Sequence, residues 1–263
     1  MPEKRTRNIR AKAKELLFAD ENYITLILAV IIFAFAGVLP FVAYYMIYGF
    51  VDEPYLTIAF VAVEILTAAP LFFGLIRIAG LASKKADMGL IDIFFAFDSA
   101  KSYLRILLLT LVSILRITTP LSIGFILARL TISMFNITGM LSMVSTVVLM
   151  ILVYALFLPL NIRLYAVNFL VAADGEEIAS SIRRSWEYTS KNTVLLLAYS
   201  IKMLPLLIAS VAAICVPLVI YTIPFLLCAY SISCRKLILL KQNDICPEEK
   251  IEGVEEINEQ DSE

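Results

Sequence analysis

Six stretches of roughly twenty or more mainly apolar residues, set apart by short polar breaks, constrain this chain more than any other feature. They begin near Tyr23, Tyr55, Tyr103, Met140, Thr193 and Pro217. Hydrophobic residues make up 60% of the 263, more than a water-soluble core of that size can bury. A bilayer accommodates them, because a spanning helix needs about 20 apolar residues and pairs its backbone groups internally. The expected fold class is therefore all-α: a polytopic membrane protein with six transmembrane helices at about 23–49, 55–82, 103–129, 140–172, 193–212 and 217–240. Six spans consume most of the length and leave no room for a soluble catalytic domain.

The formal net charge of -1 hides an asymmetry. The first 22 residues carry Lys4, Arg5, Arg7, Arg10, Lys12 and Lys14, whereas residues 243–263 hold nine acidic side chains against Lys250 alone. The basic segment abuts a span, so its expected partner is the anionic headgroups of the lipid bilayer rather than nucleic acid. The tail at 242–263 is expected to be cytoplasmic and disordered. Lysine and arginine also mark one side of the membrane. The breaks at 83–102 and 174–192 contain Lys84, Lys85, Lys101, Arg183, Arg184 and Lys191, and Arg235, Lys236 and Lys241 end the last span. The alternate breaks at 50–54, 130–139 and 213–216 contain neither residue type. Both termini are placed in the cytoplasm, in a multi-pass protein of the cell membrane.

Three polar segments have an apolar side. In 1–22, Ile9, Ala13, Leu16 and Leu17 follow helical spacing and predict a helix lying on the inner leaflet. The segment at about 87–100 contains Leu90-Ile91-Asp92-Ile93-Phe94-Phe95-Ala96-Phe97, too apolar for open solvent and too short to cross. It predicts an interfacial or re-entrant helix anchored by Phe94, Phe95 and Phe97, with Asp92 on its polar side. The segment at about 175–189 repeats the theme: Asp174 as N-cap, then Ile178, Ile182 and the anchor Trp186 at every fourth position. The two regions share a layout of proline-containing span, arginine (Arg77; Arg163), aspartate (Asp87; Asp174), amphipathic stretch and span, which predicts a parallel internal duplication.

Several short motifs resemble a known family. These are Arg10-Ala11-Lys12-Ala13-Lys14-Glu15-Leu16-Leu17, Pro70-Leu71-Phe72-Phe73-Gly74, Asp92-Ile93-Phe94-Phe95-Ala96-Phe97, Ala173-Asp174, Ile178-Ala179 and Ser185. Over residues 8 to about 240 the chain looks like a group of uncharacterised bacterial integral membrane proteins, a domain of unknown function. The resemblance implies a helical bundle in a bacterial cytoplasmic membrane and no particular activity. The chain departs from the family at Asn192-Thr193, where glycine is usual.

Charges within spans are the default candidates for function. Glu64 lies about 13 Å below the outer surface and Arg116 about 20 Å above the inner one, at about 1.5 Å per residue. In a core of about 30 Å these depths nearly coincide, which predicts a Glu64–Arg116 ion pair. Arg163 and Lys202 lie about 15 and 13 Å above the inner surface. With Arg116 they leave surplus positive charge, to be met by Asn161, tyrosine hydroxyls, backbone carbonyls, water or an anionic ligand. Each span holds a proline, and Pro159 beside Asn161 and Arg163 predicts a broken helix near a charge.

No histidine, nucleophile motif, P-loop or metal-ligand spacing occurs in the chain, so no catalytic residue, metal or cofactor is expected. The four cysteines fall just before, in or after the last span without a C-x-x-C pair and are expected to act as small apolar residues. The functional expectation is a non-enzymatic integral membrane protein, an envelope or membrane-assembly factor. The alternative is a small transporter or permease-like protein for an anionic or lipid-like solute, with Arg116, Arg163, Lys202 and Asn161 as its binding residues. The topology has a direct check. Reporter fusions in the 130s should read as external and fusions near residues 86 and 190 as cytoplasmic; the opposite pattern reverses the assignment.

Overall fold

The computed structural model describes residues 2–19, 22–48, 53–135, 138–190, 192–194, 196–198, 201–202, 205–206 and 218–245. Every regular element among them is helical: α1 (Pro2–Phe18), α2 (Asn22–Ile47), α3 (Glu53–Ser83), a 3-10 segment (Leu90–Phe97), α4 (Ala100–Phe135), α5 (Met140–Arg163), α6 (Val167–Ala173), α7 (Ile178–Thr189), a π turn (Leu218–Thr222) and α8 (Ile223–Ile245). Five helical stretches are long and apolar enough to cross a membrane: Asn22–Ile47, Tyr55–Ser83, Ala100–Phe135, Met140–Ala173 and Val219–Leu240. They match five of the six expected spans. The remaining one, 193–212, lies mainly outside the described residues, as does all of the acidic tail beyond Ile245.

The last span forms the centre. Half of its apolar window is buried by protein, against 6% for Met140–Ala173. Phe225, Leu227, Cys228, Ala229, Ser231, Ser233, Cys234 and Leu237 are all buried there. Around α8 stand α1, α2, α3 and α7, while α4 and α5 pair with each other at the periphery. That pair is antiparallel: Gly124 meets the backbone of Met150, and Arg116 reaches Leu164. The π turn precedes Pro224, whose ring would collide with the carbonyl four residues earlier in a regular helix; a wider turn relieves that clash.

The N-terminal helix does not lie apolar side down on a lipid leaflet, as its sequence suggests. Ile9, Ala13 and Leu17 are buried in the protein core with Leu26, Ala29, Cys228 and Ala229. The stripe read as membrane-seeking is packed chiefly on α8. Arg10, Lys14 and Glu15 stay exposed on its outer side. Periodicity identifies an apolar stripe correctly but carries no information on whether lipid or protein covers it.

The two fold-back segments depart from expectation in a related way. After α3 the chain turns at Lys85, which takes a positive φ of 56°. It then runs back along α3 as the 3-10 segment. Ile93 presses its backbone onto Gly74, nine residues or about 13 Å before the end of α3. Tyr103, just beyond, donates its hydroxyl to the Leu66 carbonyl at 2.9 Å. Pro70 has no N–H to offer Leu66, so tyrosine from the next helix replaces the missing bond. Asp92 lies on the α3 side rather than on an outer polar side: it accepts from the Gly89 N–H at 2.9 Å and from Arg77 Nε at 3.4 Å. Phe94 and Phe97 are exposed, whereas Phe95 packs inward beneath the Arg77 guanidinium, 4.9 Å from the ring centre.

In the second segment the buried face of α7 is Ser181, Ser185 and Thr189, all at zero exposure. The expected stripe fares differently: Ile178 and Ile182 are half-buried and Trp186 is 45% exposed. Asp174 is not the N-cap. Glu177 holds that position without a side-chain cap, and Asp174 instead pairs with Lys84 at the end of α3.

Gly74 is the closest approach in this arrangement, since a Cβ there would strike the carbonyl of Ile93, a backbone group unable to step aside. Gly74→Ala should therefore displace the fold-back segment and lower stability by about 1–3 kcal/mol. Thermal unfolding of the purified protein measures the loss. An unchanged midpoint would show that the segment does not dock on α3.

Candidate functional site

The span Met140–Ala173 is not one helix. It stops at Arg163 and resumes at Val167, so the carbonyls of Arg163, Leu164 and Tyr165 lose regular helical partners. In a bilayer no water is at hand to meet them. Each is met by a side chain from a different helix. Ser185 of α7 donates to the Arg163 carbonyl at 2.8 Å, joined by Thr189 at 3.2 Å. Arg116 of α4 donates through Nη1 to Leu164 at 3.3 Å, an oxygen that also accepts from the Val167 N–H. Tyr230 of α8 donates to Tyr165 at 2.8 Å. On the donor side, Ala166 gives its N–H to Ser185 Oγ at 3.1 Å.

Ser185 thus bridges the break, accepting from Ala166 while donating to Arg163. The sequence 164–166, Leu-Tyr-Ala, holds no glycine or proline, and Pro159 lies five residues upstream, too early to cause this interruption by itself. The break is imposed by tertiary contacts.

The four residues expected to bind an anion have different surroundings. Arg163 stacks its guanidinium over Trp186 at 4.8 Å. Lys202 is exposed, and its carbonyl accepts from Arg10 of the N-terminal helix at 2.5 Å. Arg116 and Asn161 remain beside the break. No ion pair joins Glu64 to Arg116 among the described residues. Matching depth in the bilayer places two residues at one level and says nothing of which way round the bundle each one faces.

The arginines that precede the two fold-back segments are used alike. Arg77 stacks on Phe95 and Arg163 on Trp186, each arginine of a span covering an aromatic ring of the fold-back segment that follows it. The aspartates are not used alike, since Asp87 is exposed while Asp174 pairs with Lys84. Sequence reasoning passed over Ser185, Thr189 and Tyr230 as carriers of the break. The signal available was the spacing Ser181, Ser185, Thr189, a polar stripe at helical period on a segment judged by its apolar residues. No protein-family model, curated protein or solved structure matches the chain.

Removing the bridge tests this account. A hydrogen bond between helices in a bilayer averages about 0.6 kcal/mol. Ser185→Ala strands the Ala166 N–H and leaves the Arg163 carbonyl only its longer contact with Thr189, so it should cost about 1–2 kcal/mol. Tyr230→Phe, which strands the Tyr165 carbonyl alone, should cost less. Unfolding of both variants in detergent gives the comparison, and equal, negligible losses would remove Ser185 from this role.

Proposed function

We propose that this chain is a non-enzymatic, six-span protein of a bacterial cytoplasmic membrane, with both termini in the cytoplasm and a structural role in the envelope or in membrane assembly. The five apolar helices and the one-sided distribution of lysine and arginine support the membrane reading. The segment resemblance to bacterial integral membrane proteins of unknown function accords with it.

The observation that carries the structural role is the occupation of the broken helix. In carriers, interrupted helices leave backbone groups free for solute or ion. Here the carbonyls of Arg163, Leu164 and Tyr165 are each taken by a side chain of the protein. Arg163 is engaged by Trp186. The alternative, a permease-like protein for an anionic or lipid-like solute, draws its support from Arg116 and Asn161, which stand beside the break. At the cytoplasmic side the outward Arg10 and Lys14 of α1 suit anionic headgroups, even though the apolar stripe of that helix is spent on protein.

The two readings differ in what water can reach. In a background lacking the native cysteines, Ser185→Cys and Thr189→Cys in native membranes should resist small, charged thiol reagents applied from either side. Ready modification of both, with the fold intact, would indicate a water-filled path at the break and overturn the structural role in favour of transport.

A further inference from the structure

One polar cluster in the spans is left unsatisfied by the protein. Arg116 uses Nη1 on the Leu164 carbonyl, but its Nε is buried with no partner. Asn161, one turn before the break, has both atoms of its amide, Oδ1 and Nδ2, buried and unpartnered. The antiparallel course of α4 and α5 brings these residues to adjoining turns. Arg116 reaches the Leu164 carbonyl, three residues past Asn161. An arginine cannot shed its charge, and no carboxylate pairs with this one among the described residues.

The unmet groups are unequal in kind. Arg116 offers one N–H from Nε and Asn161 offers two from its amide nitrogen, against a single acceptor, the Asn161 carbonyl oxygen. A water molecule, which donates as readily as it accepts, would meet some of these bonds and leave the charge uncompensated in a medium where that is costly. A group made only of acceptors and bearing negative charge meets both needs. Arg116 and Asn161 are themselves only half-buried and are flanked by the exposed Leu115 and Leu160, so the cluster borders the outer surface of the α4–α5 pair. That surface is where an amphiphile would approach.

We propose that Arg116 and Asn161 form a binding site for one oxyanionic group of the phosphate class, entering from the bilayer side of the α4–α5 pair. Arg116 supplies the charge and an Nε–H bond, and Asn161 supplies amide N–H bonds that neither a choline nor an apolar chain can accept. The proposal goes beyond the structural role and depends on the membrane reading only for the direction of entry. Reporter fusions test that reading separately.

The experiment uses the full-length protein in neutral detergent, with binding followed by native mass spectrometry and by thermal unfolding against phosphatidylglycerol, diacylglycerol and inorganic phosphate. Phosphatidylglycerol should be retained and should raise the unfolding temperature, with diacylglycerol, which has the same chains and no phosphate, inert. Stabilisation by inorganic phosphate instead, lost in the same variants, supports the same site with a free anion as its occupant. Arg116→Gln should weaken binding about ten-fold or more, the loss of one charge-assisted bond. Because Arg116 also holds Leu164, Asn161→Leu is the cleaner variant: it removes groups that bond to nothing in the ligand-free protein, so it should bind about ten-fold more weakly while melting no lower. Absence of binding by the unaltered protein to both phosphatidylglycerol and phosphate overturns the proposal. So does undiminished binding by a folded Asn161→Leu.

Discussion

Backbone polar groups in a bilayer must find partners within the protein, and this constraint organises the structure around its helix interruptions. Pro70 deprives the Leu66 carbonyl of its N–H, and Tyr103 fills the gap from the following helix. The stop after Arg163 exposes a run of carbonyls, and side chains of α4, α7 and α8 converge on them. Each interruption is therefore also a joint, since the side chain that meets the orphaned group comes from another element. Where a soluble protein would leave these places to water, the chain spends hydroxyls and a guanidinium on them.

The parts visible in the sequence were those fixed by composition over long windows. Spans beginning at Tyr23, Tyr55 and Met140 appear within a few residues of their expected starts, because twenty apolar residues in a row admit few other structures. Directions around each helix were not visible. Glu64 and Arg116 match in depth yet are not paired, and the stripe of Ile9, Ala13 and Leu17 turned out to face protein. The same limit hid the break, since Leu164-Tyr165-Ala166 has ordinary helical character and only Ser185, distant in sequence, reveals why the helix yields there. A polar stripe of Ser181, Ser185 and Thr189 in a short helix was legible in principle. In a low-dielectric setting a hydroxyl that meets two backbone groups, as Ser185 does, contributes more than a half-buried methyl.

The two regions in which a span is followed by a fold-back segment, unlike in sequence, share one device. A span ends in an arginine, the chain doubles back, and an aromatic ring of the returning segment lies beneath the guanidinium. The regions are tied together: Lys84, at the end of the first span, pairs with Asp174 of the second, and Arg105 donates to the Gly175 carbonyl at 3.0 Å. Gly80 permits this junction, as a side chain there would meet Ala173. What differs is the form of the returning segment, a tight 3-10 run pressed on Gly74 in one region and a regular helix seated by serines in the other.

The seating of α1 on α8 bears on how the molecule is made. α1 has its berth on α8, the helix furthest from it along the described chain, so its apolar stripe stays uncovered until that helix is in place. Closure of such long-range contacts is slow relative to local ones.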